Sequence, residues 1–92
     1  MPKLVVTSNL QRFFPVLIDQ QIELPAGPVS TCLQTIEKIA PGFCSYIVDD
    51  QGALRRHVNI AINTAMLVDR KTLSDRVGDS DTLFIFQALS GG

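Results

Sequence analysis

Apolar and polar residues change rhythm several times along this chain, and each change marks an element. The β-branched run Lys3-Leu4-Val5-Val6-Thr7 predicts a first strand. Residues 9–15, carrying Phe13 and Phe14, predict a loop. A loose alternation follows over 16–24 (Ile18, Gln20, Ile22, Leu24) and predicts a second strand, stopped by Pro25-Ala26-Gly27-Pro28. These two strands are expected to form a hairpin with a long connection. From Val29 the period becomes helical: Val29, Cys32, Leu33, Ile36, Ile39 and Ala40 recur at i, i+3, i+4, i+7 spacing. Pro28 suits the first turn of this helix and Pro41-Gly42 ends it.

The second half is shorter-ranged. Phe43, Tyr46 and Ile47 predict one further helical turn, closed by the loop Asp49-Asp50-Gln51-Gly52. In Val58-Asn59-Ile60-Ala61-Ile62-Asn63 the apolar Val58, Ile60 and Ile62 alternate with Asn59, Ala61 and Asn63, the mark of a half-buried strand. Met66-Leu67-Val68 predicts a short partner strand, and residues 71–80 predict a single helical turn and loop anchored by Leu73 and Val77. A last strand is expected from Thr82 to Leu89. A sheet covered on one face by one helix is an α+β arrangement.

At 92 residues the chain is long enough for one core and too short for two. A formal net charge of -1 provides no global field to draw it to nucleic acid or a membrane. No apolar run is long enough to cross a bilayer, and Met1-Pro2-Lys3-Leu4 lacks the layout of a signal peptide, so a soluble, cytoplasmic protein is expected. Cys32 and Cys44 sit beside apolar residues outside any CxxC pair; two thiols cannot close a zinc or iron–sulfur site, and buried reduced thiols are expected. Arg55, Arg56 and His57, echoed by Arg70-Lys71, form a small basic cluster that reads as a solvated face or as a pairing site for acidic groups of a partner. Asp49 and Asp50 read as turn formers, and His57 as a strand-edge residue. Phosphate-loop, metal-ligand and nucleophile motifs are all missing, which argues against an independent enzyme.

The candidate chemistry lies at the end of the sequence, where the last strand runs into Ser90-Gly91-Gly92. Without a Cβ, glycine takes conformations closed to other residues and allows a close approach to its backbone. A rigid strand followed by a thin terminus would present one reactive group, the Gly92 carboxyl. The expected organisation is a domain over 1–89 and a flexible diglycine tail over 90–92. Strand parity suggests the docking surface. If Leu83 and Ile85 face the core, Phe84 and Phe86 face outward and form an apolar patch beside the tail, with Ala88 and Leu89 adding contacts. The opposite parity would place both Phe side chains in the core.

Three segments carry a resemblance to a known family: Pro25-Ala26-Gly27 with Val29 and Leu33; Asp50-Gln51-Gly52-Ala53-Leu54-Arg55 with Val58-Asn59-Ile60; and Gly78-Asp79 through Gly91-Gly92. Together with the element order they resemble the β-grasp fold of ubiquitin-like proteins, a mixed four- to five-stranded sheet packed on one main helix. More narrowly, they resemble the bacterial sulfur carriers: the molybdopterin synthase small subunit, the thiamine-pathway carrier and the carriers serving cysteine synthesis. Asn63-Thr64-Ala65 stands where relatives often have an Asn-Gly turn, and since Thr64 resists positive φ, a different loop is expected. Gly78-Asp79-Ser80-Asp81 replaces an Asp-Gly-Asp pattern.

The resemblance implies a co-substrate rather than a catalyst. A ubiquitin-activating-type enzyme would spend ATP to adenylate Gly92, a persulfide sulfur donor would convert it to a thiocarboxylate, and a sulfur-accepting synthase subunit would receive the sulfur, with a molybdopterin-type acceptor expected. Ser90 and Gly91 would thread into the partner's site. No bound cofactor, metal, nucleic acid or membrane is implied. The alternatives are a protein modifier conjugated through Gly92 and a non-covalent β-grasp interaction module.

Overall fold

The computed structural model describes residues 1–18 and 22–87. Its centre is a four-stranded sheet built from β1 (Lys3–Val6), β3 (Val58–Ile62), β4 (Ala65–Met66) and β6 (Thr82–Gln87), in the order β1-β6-β3-β4. The first and last strands lie side by side and parallel, with Leu4 opposite Leu83 and Val6 opposite Ile85. β6 pairs antiparallel with β3, and β3 with β4. Parallel neighbours need a long crossover, and almost the whole chain between β1 and β6 serves as one. This is the β-grasp arrangement, α+β with a mixed sheet.

The crossover carries α2 (Val29–Ile39), whose Val29, Cys32, Leu33 and Ile36 are buried. They meet Val58, Ile60, Leu83 and Ile85 from the sheet in a single core. No side chain caps α2; instead the Val29 amide donates to the Asp75 carbonyl (2.9 Å) and the Ser30 amide to the Leu73 carbonyl (3.1 Å). Pro28 is the residue just before the helix, in extended conformation. At the other end, Gly42 adopts a left-handed φ of 95° that a side chain would resist. The Glu37 carboxylate there accepts from the Gly42 (2.8 Å) and Cys44 (2.9 Å) amides, fastening α2 to α3 (Phe43–Ile47).

Three expectations are corrected. The loop expected over 9–15 is mostly α1 (Ser8–Phe13), followed by a 3-10 turn at Pro15–Leu17. Leu10 and Leu17 are buried there while Phe13 and Val16 stay exposed, so the chain coils to bring every third or fourth side chain inward. The strand expected over 16–24 is, among the described residues, a single antiparallel bridge of Glu23 with Lys3, beside a bond from the Leu24 amide to the Pro2 carbonyl (2.9 Å). Ile22 and Leu24 are buried as the alternation predicted, Ile18 is exposed, and Gln20 lies outside the described residues.

The helical turn expected over 71–80 is absent. A loop occupies 71–74, and β5 (Arg76–Val77) then pairs antiparallel with β2 (Gly27–Pro28) in a second small sheet. Asp69 organises this loop. Its carboxylate accepts from the Lys71, Thr72 and Ser74 amides and from both the Thr72 and Ser74 hydroxyls. Local side-chain bonds of this kind offer the backbone an alternative to helix. They hold Leu73 buried at φ 57°, where its carbonyl reaches α2.

Candidate functional site

Parallel pairing of β1 with β6 decides what surrounds the last strand. Leu83 and Ile85 are fully buried under α2, and Phe84 and Phe86 are half-buried on the opposite face. Val5 and Ala61 flank Phe84 in register, and Asn59 stands opposite Phe86. Val5 is 46% exposed and Met66, opposite Ala61, is 52% exposed. Val5, Ala61, Met66, Phe84 and Phe86 line an open groove of about 330 Å³, with Thr7 and Asn63 among its polar lining. Val5 and Met66 were not singled out from sequence. The alternation of Leu4 and Val6 inward with Lys3 and Val5 outward carried the signal for Val5, once β1 was known to neighbour β6.

The turn leading into this face is built from polar side chains. Asn63 takes a left-handed φ of 56°, leaving Thr64 free of that requirement in the short link between β3 and β4. Its side-chain Nδ2 donates to Asp81 (2.8 Å) and its side-chain oxygen accepts from the Thr82 backbone amide (2.9 Å). Asp81 also accepts from the Gly78 amide (2.8 Å), and these bonds hold its carboxyl below the usual carboxylate range.

Ala88, Leu89, Ser90, Gly91 and Gly92 lie outside the described residues, as does the boundary between the 1–89 domain and the 90–92 tail. β6 is described as far as Gln87, which pairs with Val58. Around Gln87 the structure gathers side chains that the sequence scatters. The Tyr46 hydroxyl and the Gln87 side-chain oxygen lie 3.1 Å apart, a bond in which the hydroxyl donates. Phe13 and Phe14 pack their rings against Tyr46 at centroid distances of 5.2 and 5.7 Å.

The basic residues divide. Arg70 is a clamp, its guanidinium donating to Asn59 (3.2 Å) and to the Arg55 and Val58 carbonyls (both 2.9 Å), so it is not an echo of the cluster. Arg55, Arg56 and His57 are exposed. Asp49 forms a turn, accepting from the Gln51 (2.8 Å) and Ala53 (3.0 Å) amides.

Both thiols are free. Cys32 is buried and donates to the Pro25 carbonyl (3.3 Å); Cys44 donates to the Leu33 carbonyl (3.1 Å). Burial raises the Cys32 pKa, while burial and the Glu37 charge push Cys44 up to about 11. A nucleophilic cysteine needs its thiolate, which these shifts disfavour at neutral pH. Among the described residues no group of three or more His, Cys, Asp or Glu side chains is placed to hold a metal. No helix there is long and apolar enough to cross a membrane.

No family model matches this chain, and no curated protein matches it. Solved structures do. A chain of the Amycolatopsis orientalis BexX/CysO complex superposes with a TM-score of 0.83 at 21% identity, over 100% of both chains. CysO of Mycobacterium tuberculosis gives 0.80 at 20% identity, over 97% of this chain and 100% of that one. SAMP1 of Haloferax volcanii, the small archaeal modifier protein 1, gives 0.73 at 20% identity, over 98% and 97%. At these identities the likeness establishes a shared ubiquitin-like fold.

Proposed function

We propose that this protein is a ubiquitin-like sulfur carrier whose working group is the carboxylate of Gly92. The observation that carries the reading is an apolar groove on the open sheet face, lined by Phe84 and Phe86 on the strand that leads toward Ser90-Gly91-Gly92. A carboxylate resists nucleophiles, so the partner must first activate it. A ubiquitin-activating-type enzyme joins Gly92 to AMP and releases pyrophosphate from ATP. The outer sulfur of a persulfide then attacks the acyl carbon and expels AMP. A thiolate cleaves the resulting acyl disulfide, supplying two electrons and leaving a thiocarboxylate on Gly92 and a disulfide on the donor. The ionised sulfur is a soft nucleophile suited to transfer.

The carrier is a co-substrate that binds no cofactor, and the enzymes that load and unload it do the catalysis. Phe84 and Phe86, with Ala88 and Leu89, dock the domain while Ser90 and Gly91 thread. Ordering the thin tail costs on the order of 1–2 kcal/mol per residue, so the docking face must offset it. The acceptor is a synthase subunit, of the molybdopterin type or of a type serving cysteine synthesis. The test is incubation of the native chain with an adenylating enzyme, ATP and a persulfide donor. The expected product is heavier by the difference between sulfur and oxygen, and the mass change maps to Gly92. Unchanged mass overturns the reading.

A second reading is favoured by the likeness to a small archaeal modifier protein: activated Gly92 passes to a lysine amine instead of taking sulfur. ATP-dependent conjugates of higher mass on a gel, without thiocarboxylate, would establish it.

A further inference from the structure

A second groove of about 330 Å³ lies where β6 reaches Gln87, lined by Ser45, Tyr46, Arg55, His57, Val58 and Gln87. No carboxylate is among these residues, and the exposed Arg56 adjoins them in sequence. In a chain whose formal charge is -1, two guanidinium groups, Arg55 and Arg56, thus lie in or beside one groove. The Arg55 guanidinium is held by a single bond to the Ser45 carbonyl (3.1 Å), and among the described residues its remaining donors have no partner. Guanidinium offers five donors in a planar fork suited to a carboxylate. The bond between Tyr46 and Gln87 keeps the groove's far wall in place.

We propose that this groove receives an aspartate or glutamate side chain of the enzyme that acts on Gly92, paired with Arg55 and His57. The identity of that enzyme's role rests on the carrier reading; the carboxylate site does not. Gly92 lies five residues beyond Gln87, a stretch that spans at most about 18 Å when extended. An enzyme reacting at Gly92 therefore lays its surface against the groove. The apolar face supplies contact area, and a charged contact at Gln87 sets orientation and encounter rate.

Two measurements test this. In ATP–pyrophosphate exchange with the adenylating enzyme, the double variant R55E/H57E should raise the KM for the carrier about tenfold with kcat within about twofold, and should flatten its salt dependence. R55K/H57K, which places a lysine ammonium at both positions, should restore the KM. Independently, hexaglutamate titrated into the isotope-labelled native protein should give saturable shifts at the Ser45, Tyr46, His57 and Gln87 amides that are lost in R55E/H57E. The proposal is overturned by an unchanged KM in the folded double variant, by no saturable shift, or by tripolyphosphate occupying the site better than hexaglutamate at matched ionic strength. If the native protein is never adenylated, the carrier reading falls, and the titration still decides the carboxylate site.

Discussion

Replacing Ile85 by alanine removes three carbons from the middle of β6, at a side chain 1% exposed between Val6 on β1 and Ile60 on β3. Burial at about 0.8 kcal/mol per methylene gives roughly 2.4 kcal/mol of lost transfer free energy. The cavity left behind raises this to about 3–4 kcal/mol, inside the range for such truncations. A domain of this length has about 5–14 kcal/mol in total, so the variant should fold with a much reduced margin. With a urea slope of about 1–1.5 kcal/mol per molar, the midpoint should fall by about 2–4 M. Phe84→Ala, one residue earlier, removes a larger side chain from the open face, yet should cost less than about 1.5 kcal/mol because half-buried groups lose less contact. Phe84→Ala should instead weaken loading of the carrier. Equal midpoint shifts for the two variants would mean that the inward face is misassigned, and the docking face with it.

Gly92→Val and Gly91→Val should abolish sulfur loading with unchanged thermal unfolding; a normally loaded variant detected by mass spectrometry would contradict the threading role. Asp69 has its carboxyl held well below the usual range by the Ser74 and Thr72 hydroxyls and nearby amides. A folded pKa below the unfolded one gives stability that is present above about pH 4 and is lost as pH falls through the folded value. Asp69→Asn should therefore lower the melting temperature at pH 7 and flatten its decline in acid, as followed by circular dichroism across pH. Asn63→Ala should lose about 1–2 kcal/mol, since it removes two hydrogen bonds and places a Cβ-only residue at positive φ. Asn63→Gly should lose less, and the reverse order by urea melting would refute that account. Cys44, with its pKa at about 11, should react with a disulfide reagent at pH 7 far more slowly than a free thiol does.

Residues whose structure depends on near neighbours were legible in the chain. The helical period from Val29 gave α2 almost to the residue, because one apolar stripe needs only the 3.6-residue turn to be recognised. Alternation gave β3 and put Leu83 and Ile85 on one face of the last strand and Phe84 and Phe86 on the other, leaving open which face is inward. Proline and glycine marked where α2 ends, since no other residue takes the φ of Gly42 so readily. Asp49 announced its turn because its carboxylate bonds to amides two and four residues ahead.

Contacts distant in sequence were decided only by the tertiary structure. Nothing local says that β1 lies parallel to β6, yet that pairing puts Val5 beside Phe84 and creates the open apolar face. Residues 71–80 read as a single helical turn and loop anchored by Leu73 and Val77; the Asp69 carboxylate bonds and the pairing of Arg76–Val77 with Gly27–Pro28 outweighed that helical turn. Arg55, Tyr46 and Gln87 come together only because α3, the approach to β3 and the end of β6 meet at one corner. Sequence determines what each segment prefers by itself, since periodicity and backbone bias act over a few residues. Which preferences prevail, and which side chains share a surface, is settled by burying one continuous core.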